Sequence, residues 1–80
     1  MSAPRRLAAP RRAAVDAGPG GRPLAVGGHP VDAVRESWLV EDGWWTARRL
    51  RRRYWEVVTA DGRDLVVFHD LVGGGWFSQR

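Results

Sequence analysis

The chain has 80 residues, 44% of them hydrophobic and 28% charged, which suits one small globular domain and excludes wholesale disorder. It contains no Cys and no Lys, which excludes disulfides, thiolate catalysis, cysteine-based zinc sites, P-loops and Schiff-base lysines. The net charge of +4 is carried by arginine and is uneven: residues 1–21 hold four Arg against one Asp, residues 22–80 nine Arg against eight acids.

In chain order, the first feature is a repeat. "APRRLA" at 3–8 is followed directly by "APRRAA" at 9–14, and "VDAGPGG" then leads onward. Two copies are too few for a solenoid, and Pro every six residues with little apolar content predicts a disordered Arg/Ala/Pro-rich basic tail over 1–21. It reads as an extension without a role of its own. No apolar run of ~7–15 residues follows the first arginines, and none nears the ~20 of a membrane span. The expected setting is cytoplasmic, with no membrane partner.

From residue 22 to 80 the signals are those of one small all-β domain. "RPLAV" (22–26) is a short strand, "GGHP" (27–30) a turn, and "VDAVRESWLV" (31–40) a strand rich in β-branched and aromatic residues. "EDG" (41–43) predicts a three-residue hairpin loop with Gly43 left-handed, after which the Trp44–Trp45 pair opens the next strand. A rival helix over 45–55 has only Trp45, Leu50 and Tyr54 as an apolar stripe, which is thin. "RRYWEVVT" (52–59) and "RDLVVFHD" (63–70) flank Asp61-Gly62, and after "LVGGG" a last short strand covers 76–79. The predicted architecture is mainly β: an antiparallel β-meander or partly open SH3-like barrel of about five strands, preceded by the tail.

Asp-Gly is the dipeptide that a type I′ turn prefers, and a two-residue loop there fixes a register. Val58 then opposes Leu65, Val57 opposes Val66, Trp55 opposes Phe68 and Arg53 opposes Asp70. Trp55, Val57, Val66 and Phe68 would share the core face, with Tyr54, Glu56 and His69 on the other. A body this small cannot leave most of its five Trp in water.

Catalytic and metal chemistry find little support. His29 and His69 are 40 residues apart, and a metal would need further carboxylates brought in by the fold. Glu41 and Asp42 are adjacent, so on a strand they face opposite ways and cannot work as a paired acid and base. Ser37 and Ser78 have no motif around them. The glycines 73–75 lack the helix start of a nucleotide loop. No enzyme, no cofactor and no metal are expected.

What remains is binding. Trp44, Trp45, Arg48, Arg49, Arg51, Arg52, Arg53 and Tyr54 form an arginine-rich turn between aromatic pairs. Trp, Tyr and Arg are the types most enriched at interface hot spots, so a protein partner is the first expectation. The second is single-stranded or nonspecific nucleic acid, with arginines on phosphates and rings stacked on bases. Five phosphate contacts on a single strand would give a log–log salt slope of about −3.5. On a strand the five cannot all face one side, so that function needs a protruding loop.

The order of features over roughly 22–79 resembles a known module. Trp38, the Glu41–Trp45 turn, Tyr54-Trp55, Asp61-Gly62 and Gly75-Trp76 are similar to the C-terminal module of ImuB-type proteins, catalytically inactive relatives of translesion DNA polymerases, and to its small stand-alone relatives. The resemblance implies a non-catalytic module in bacterial DNA damage tolerance, with a DNA polymerase or repair factor as partner.

Overall fold

In the computed structural model, residues 9–43, 45–47 and 49–80 are described. Among these residues seven strands run β1 (Arg11–Arg12), β2 (Val15–Ala17), β3 (Pro23–Val26), β4 (His29–Asp42), β5 (Leu50–Thr59), β6 (Asp64–Asp70) and β7 (Trp76–Ser78). A single 3₁₀ turn, Pro19–Gly21, separates β2 from β3. The strands form one antiparallel sheet in the order β1-β7-β6-β5-β4-β3-β2, curled into a half-barrel. The mainly β expectation holds, and the five strands expected after residue 22 are β3 to β7. Residues 50–59 are strand rather than helix.

The boundary at 21/22 moves. Arg11–Ala17, assigned by the sequence to a disordered tail, is part of the sheet, while residues 1–8 of that tail lie outside the described residues. β1 pairs with β7 and β2 with β3, so one continuous stretch touches both edges of the sheet. Between them Ala13 N donates to Trp76 O at 3.0 Å, and Gly27 N donates to Ala14 O at 2.7 Å. Such edge pairing uses main-chain groups alone, so a Pro- and Arg-rich stretch with no hydrophobic alternation can supply it. The second copy of the repeat is therefore a strap across the half-barrel.

Curvature comes from β4. Its register against β5 shifts between Val31 and Ala33 and again between Val34 and Glu36, leaving Asp32 and Arg35 as extra residues. Each bulge bends the strand and sharpens its twist. Val31 and Val34, three apart, therefore both pack on the core, which an unbroken period of two forbids. The core is Val26, Val57, Leu65 and Val67, with Val15, Val31, Val34, Trp55 and Trp76 packed around it.

The β5–β6 hairpin differs from expectation by one residue. Thr59 N donates to Arg63 O at 2.9 Å and Gly62 N to Thr59 O at 2.8 Å, so the loop is Ala60-Asp61-Gly62. A type I′ turn needs positive φ at both central residues; here Gly62 has φ 87°, and no described non-glycine residue is positive. Type I geometry with a glycine bulge spares Asp61 that strain. The Thr59 hydroxyl also donates to the Asp61 carboxylate, which chiefly holds this carboxyl below its ordinary range.

The one-residue change exchanges the faces. Val57 now opposes Leu65, Trp55 opposes Val67, Tyr54 opposes Phe68, Arg53 opposes His69 and Arg52 opposes Asp70. Trp55 and Val57 keep the core face, but Leu65 and Val67 replace Val66 and Phe68 there. Tyr54 does lie on the outer face, now beside Phe68, whereas His69 joins the core side.

Candidate interaction surface

On the outer face the pleat lines up one row of aromatics. Trp38 of β4 opposes Tyr54, Tyr54 opposes Phe68 and Phe68 opposes Phe77 of β7. Ring centroids are 5.4 Å apart for Trp38–Tyr54 (interplanar angle 3°), 5.0 Å for Tyr54–Phe68 (39°) and 5.3 Å for Phe68–Phe77 (22°). These are stacking distances between cross-strand neighbours, so the rings present faces to one another and edges outward. Two arginines close over the row: Arg52 lies 4.4 Å from the Phe68 centroid and Arg12 lies 5.4 Å from that of Phe77. Arg52 also donates to the Tyr54 hydroxyl at 3.3 Å. Phe68, with 1% of its surface exposed, is thereby buried outside the main core.

The predicted site residues separate into three groups. Arg52 and Tyr54 belong to the outer row. Arg51 and Arg53 alternate to the other face, where Arg51 Nε pairs with Glu41 at 3.0 Å and Leu39 opposes Arg53. Arg49 and Trp45 sit in the β4–β5 loop; Trp44 and Arg48, on which part of the prediction rested, lie outside the described residues. Trp45 does not open a strand, since β5 begins at Leu50. It is instead 65% exposed. Gly43 is left-handed as expected, with φ 65°, but β5 resumes only at Leu50, and Thr46 donates its N–H to Gly43 O at 2.9 Å within the longer connection.

Sequence reasoning missed the row that Tyr54 shares with Trp38, Phe68 and Phe77, and Arg12 above its far end. The correct hairpin register would have found Phe68, and the equal spacing of one ring per strand then points to the others.

A second cluster gathers at the end of the sheet formed by the β4–β5 loop and the β6–β7 turn. Leu71 N donates to Arg51 O at 2.8 Å, fastening the turn beside the loop. Exposed Leu39, Trp45, Leu71 and Val72 share this end with Arg49, Arg51 and Arg53. Asp70 shapes the turn: its Oδ1 accepts from Val72 N at 2.9 Å and Gly73 N at 3.0 Å. Those two donors, first Gly73 and then Val72, hold its carboxyl below the ordinary range, with lesser help from Arg52 and His69.

A depressed folded value means that the contribution is present above the ordinary carboxyl range and is lost as pH falls through the folded value. Asp70→Ala is expected to cost about 1 kcal/mol at neutral pH. The gap to the wild type narrows as pH falls below the ordinary carboxyl range, where the unfolded chain takes up its proton first, and closes once the native carboxyl is protonated as well. Urea titrations of both proteins at several pH values check this.

Among the described residues, no group of three or more His, Cys, Asp or Glu is placed to hold a metal ion. Nor is any helix there long and apolar enough to cross a membrane. Comparison with protein-family models, curated proteins and solved structures returns no match.

Proposed function

We propose that the domain is a non-catalytic protein-interaction module that engages its partner at the end carrying the β4–β5 loop and the β6–β7 turn. The supporting observation is the presence there of Leu39, Trp45, Leu71 and Val72, four of the five exposed large hydrophobics among the described residues, beside arginines. Exposed apolar side chains among arginines and the acids Glu41, Asp42 and Asp70 fit a partner surface that is apolar at its centre and mixed in charge around it. The resemblance to the ImuB-type C-terminal module suggests a polymerase or repair factor in bacterial DNA damage tolerance, working in the cytoplasm.

The nucleic-acid alternative draws less support from the same geometry. Arg52 is held over Phe68, and the outer rings spend their faces on one another rather than offering platforms to bases. The loop end offers three described arginines, so single-strand binding there would show a log–log salt slope of about −2, not −3.5.

A photo-crosslinking residue at position 45, with position 24 as the exposed control on β3, tests the proposal in cells. Capture of one defined protein from position 45 alone is expected. Trp45→Ala should then weaken the purified complex about 30-fold, with the unfolding midpoint unchanged. Equal capture from both positions, or undiminished affinity, would refute the assigned end. Single-stranded DNA binding abolished by Arg49→Ala and Arg51→Ala would put nucleic acid in the partner's place.

A further inference from the structure

The pleat disperses the arginines that the sequence grouped, yet it brings together three that the sequence left far apart. Arg11 of β1, Arg63 at the entry to β6 and Arg80 beyond β7 line one cavity of about 260 Å³, together with Ser78. Register explains the convergence. Arg11 opposes Ser78 and Ser78 opposes Val67. Past Ser78 the chain stays beside β6, with Gln79 N donating to Val66 O at 2.8 Å and Val66 N to Arg80 O at 3.1 Å. The three side chains thus start from neighbouring strands at the β5–β6 hairpin end, away from the proposed partner surface.

Their charge is poorly matched. Arg80 Nη2 lies 3.5 Å from Glu56 Oε2, and among the described residues no ion pair involves Arg11 or Arg63. Glu56 offsets Arg80 in part and Asp61 lies within electrostatic reach of Arg63, so three guanidiniums face fewer acids than they need, which favours an anion between them, and planar guanidinium forks fit phosphate oxygens. Ser78 Oγ, 3.3 Å from Arg80 O, adds a neutral donor that can turn to a ligand.

We propose that this cavity is a phosphate-binding site in which Arg11, Arg63 and Arg80 hold the phosphate oxygens. A small phosphorylated molecule and a nucleic-acid backbone present the same group, so the two sources are separated by experiment. The full-length chain is titrated with inorganic pyrophosphate and with a short oligothymidylate, following the arginine Nε–Hε resonances.

Saturable, concerted shifts of Arg11, Arg63 and Arg80 are expected, together with about five-fold weaker binding in Arg63→Gln. Arg63 lies outside every strand, so its substitution leaves β1 undisturbed. Arg35→Gln, at an exposed bulge of β4, should bind as the wild type does. Saturation by pyrophosphate alone identifies a free phosphorylated ligand, whereas tighter, salt-sensitive oligothymidylate binding at the same arginines identifies a backbone. Shifts spread evenly over all exposed arginines, or unchanged affinity in Arg63→Gln and in Arg11→Gln/Arg63→Gln, overturn the proposal.

Discussion

Phe68→Ala is expected to remove about 3–5 kcal/mol of stability. An 80-residue domain has only about 4–12 kcal/mol in total, so the variant should melt near ambient temperature. The loss is large because Phe68 is almost fully buried between Tyr54 and Phe77 and beneath Arg52. Removing its ring opens a cavity and leaves Arg52 with no aromatic face beneath it. A milder Phe68→Leu permits double-mutant cycles by urea denaturation. Coupling to Tyr54→Leu should be about 0.5–1.5 kcal/mol, and coupling to Trp55→Leu close to zero. The opposite ranking would restore the two-residue turn and put Phe68 back beside Trp55.

Truncation to residues 22–80 is expected to cost about 3 kcal/mol or more, whereas removal of residues 1–8 should cost little. The longer truncation deletes β1 and β2, leaves the outer edges of β7 and β3 unpaired, and takes Val15 away from the core. Unpaired edges also invite pairing between molecules, so the shortened chain should associate as it loses stability. Thermal melts with light scattering on the two truncations distinguish a strap from a dispensable tail. If residues 22–80 melted like the full chain, the strap would contribute nothing. In that case DNA-binding comparisons between the two could assign binding to the first 21 residues directly; with the strap intact in the fold, only the shorter truncation is a fair control.

Much of the fold was legible because hairpin signals are local. Asp61-Gly62 marked the β5–β6 turn, Gly43 marked the end of β4, and the Val-, Trp- and Tyr-rich runs between glycines gave five strands in their observed order. The candidate site was legible in part. The type of Trp45, Arg51, Arg52 and Tyr54 suggested binding, but their adjacency suggested one patch. The pleat divides such neighbours between two faces, so Arg52 and Tyr54 stand with Phe68 while Arg51 and Arg53 stand opposite.

The sequence by itself determined the five strands after residue 22, their order and the absence of cysteine and lysine chemistry, because each depends on residue type within a few neighbours. Tertiary structure decided the hairpin register, the bulges of β4 and the use of the second repeat copy as an edge strap. Asp-Gly is compatible with loops of two or three residues, and the choice fell to the arrangement that puts Val57, Leu65 and Val67 inside without positive φ at Asp61. With a side-chain period of two, that single residue moves every later side chain to the other face, which is how Phe68 came to join the outer row.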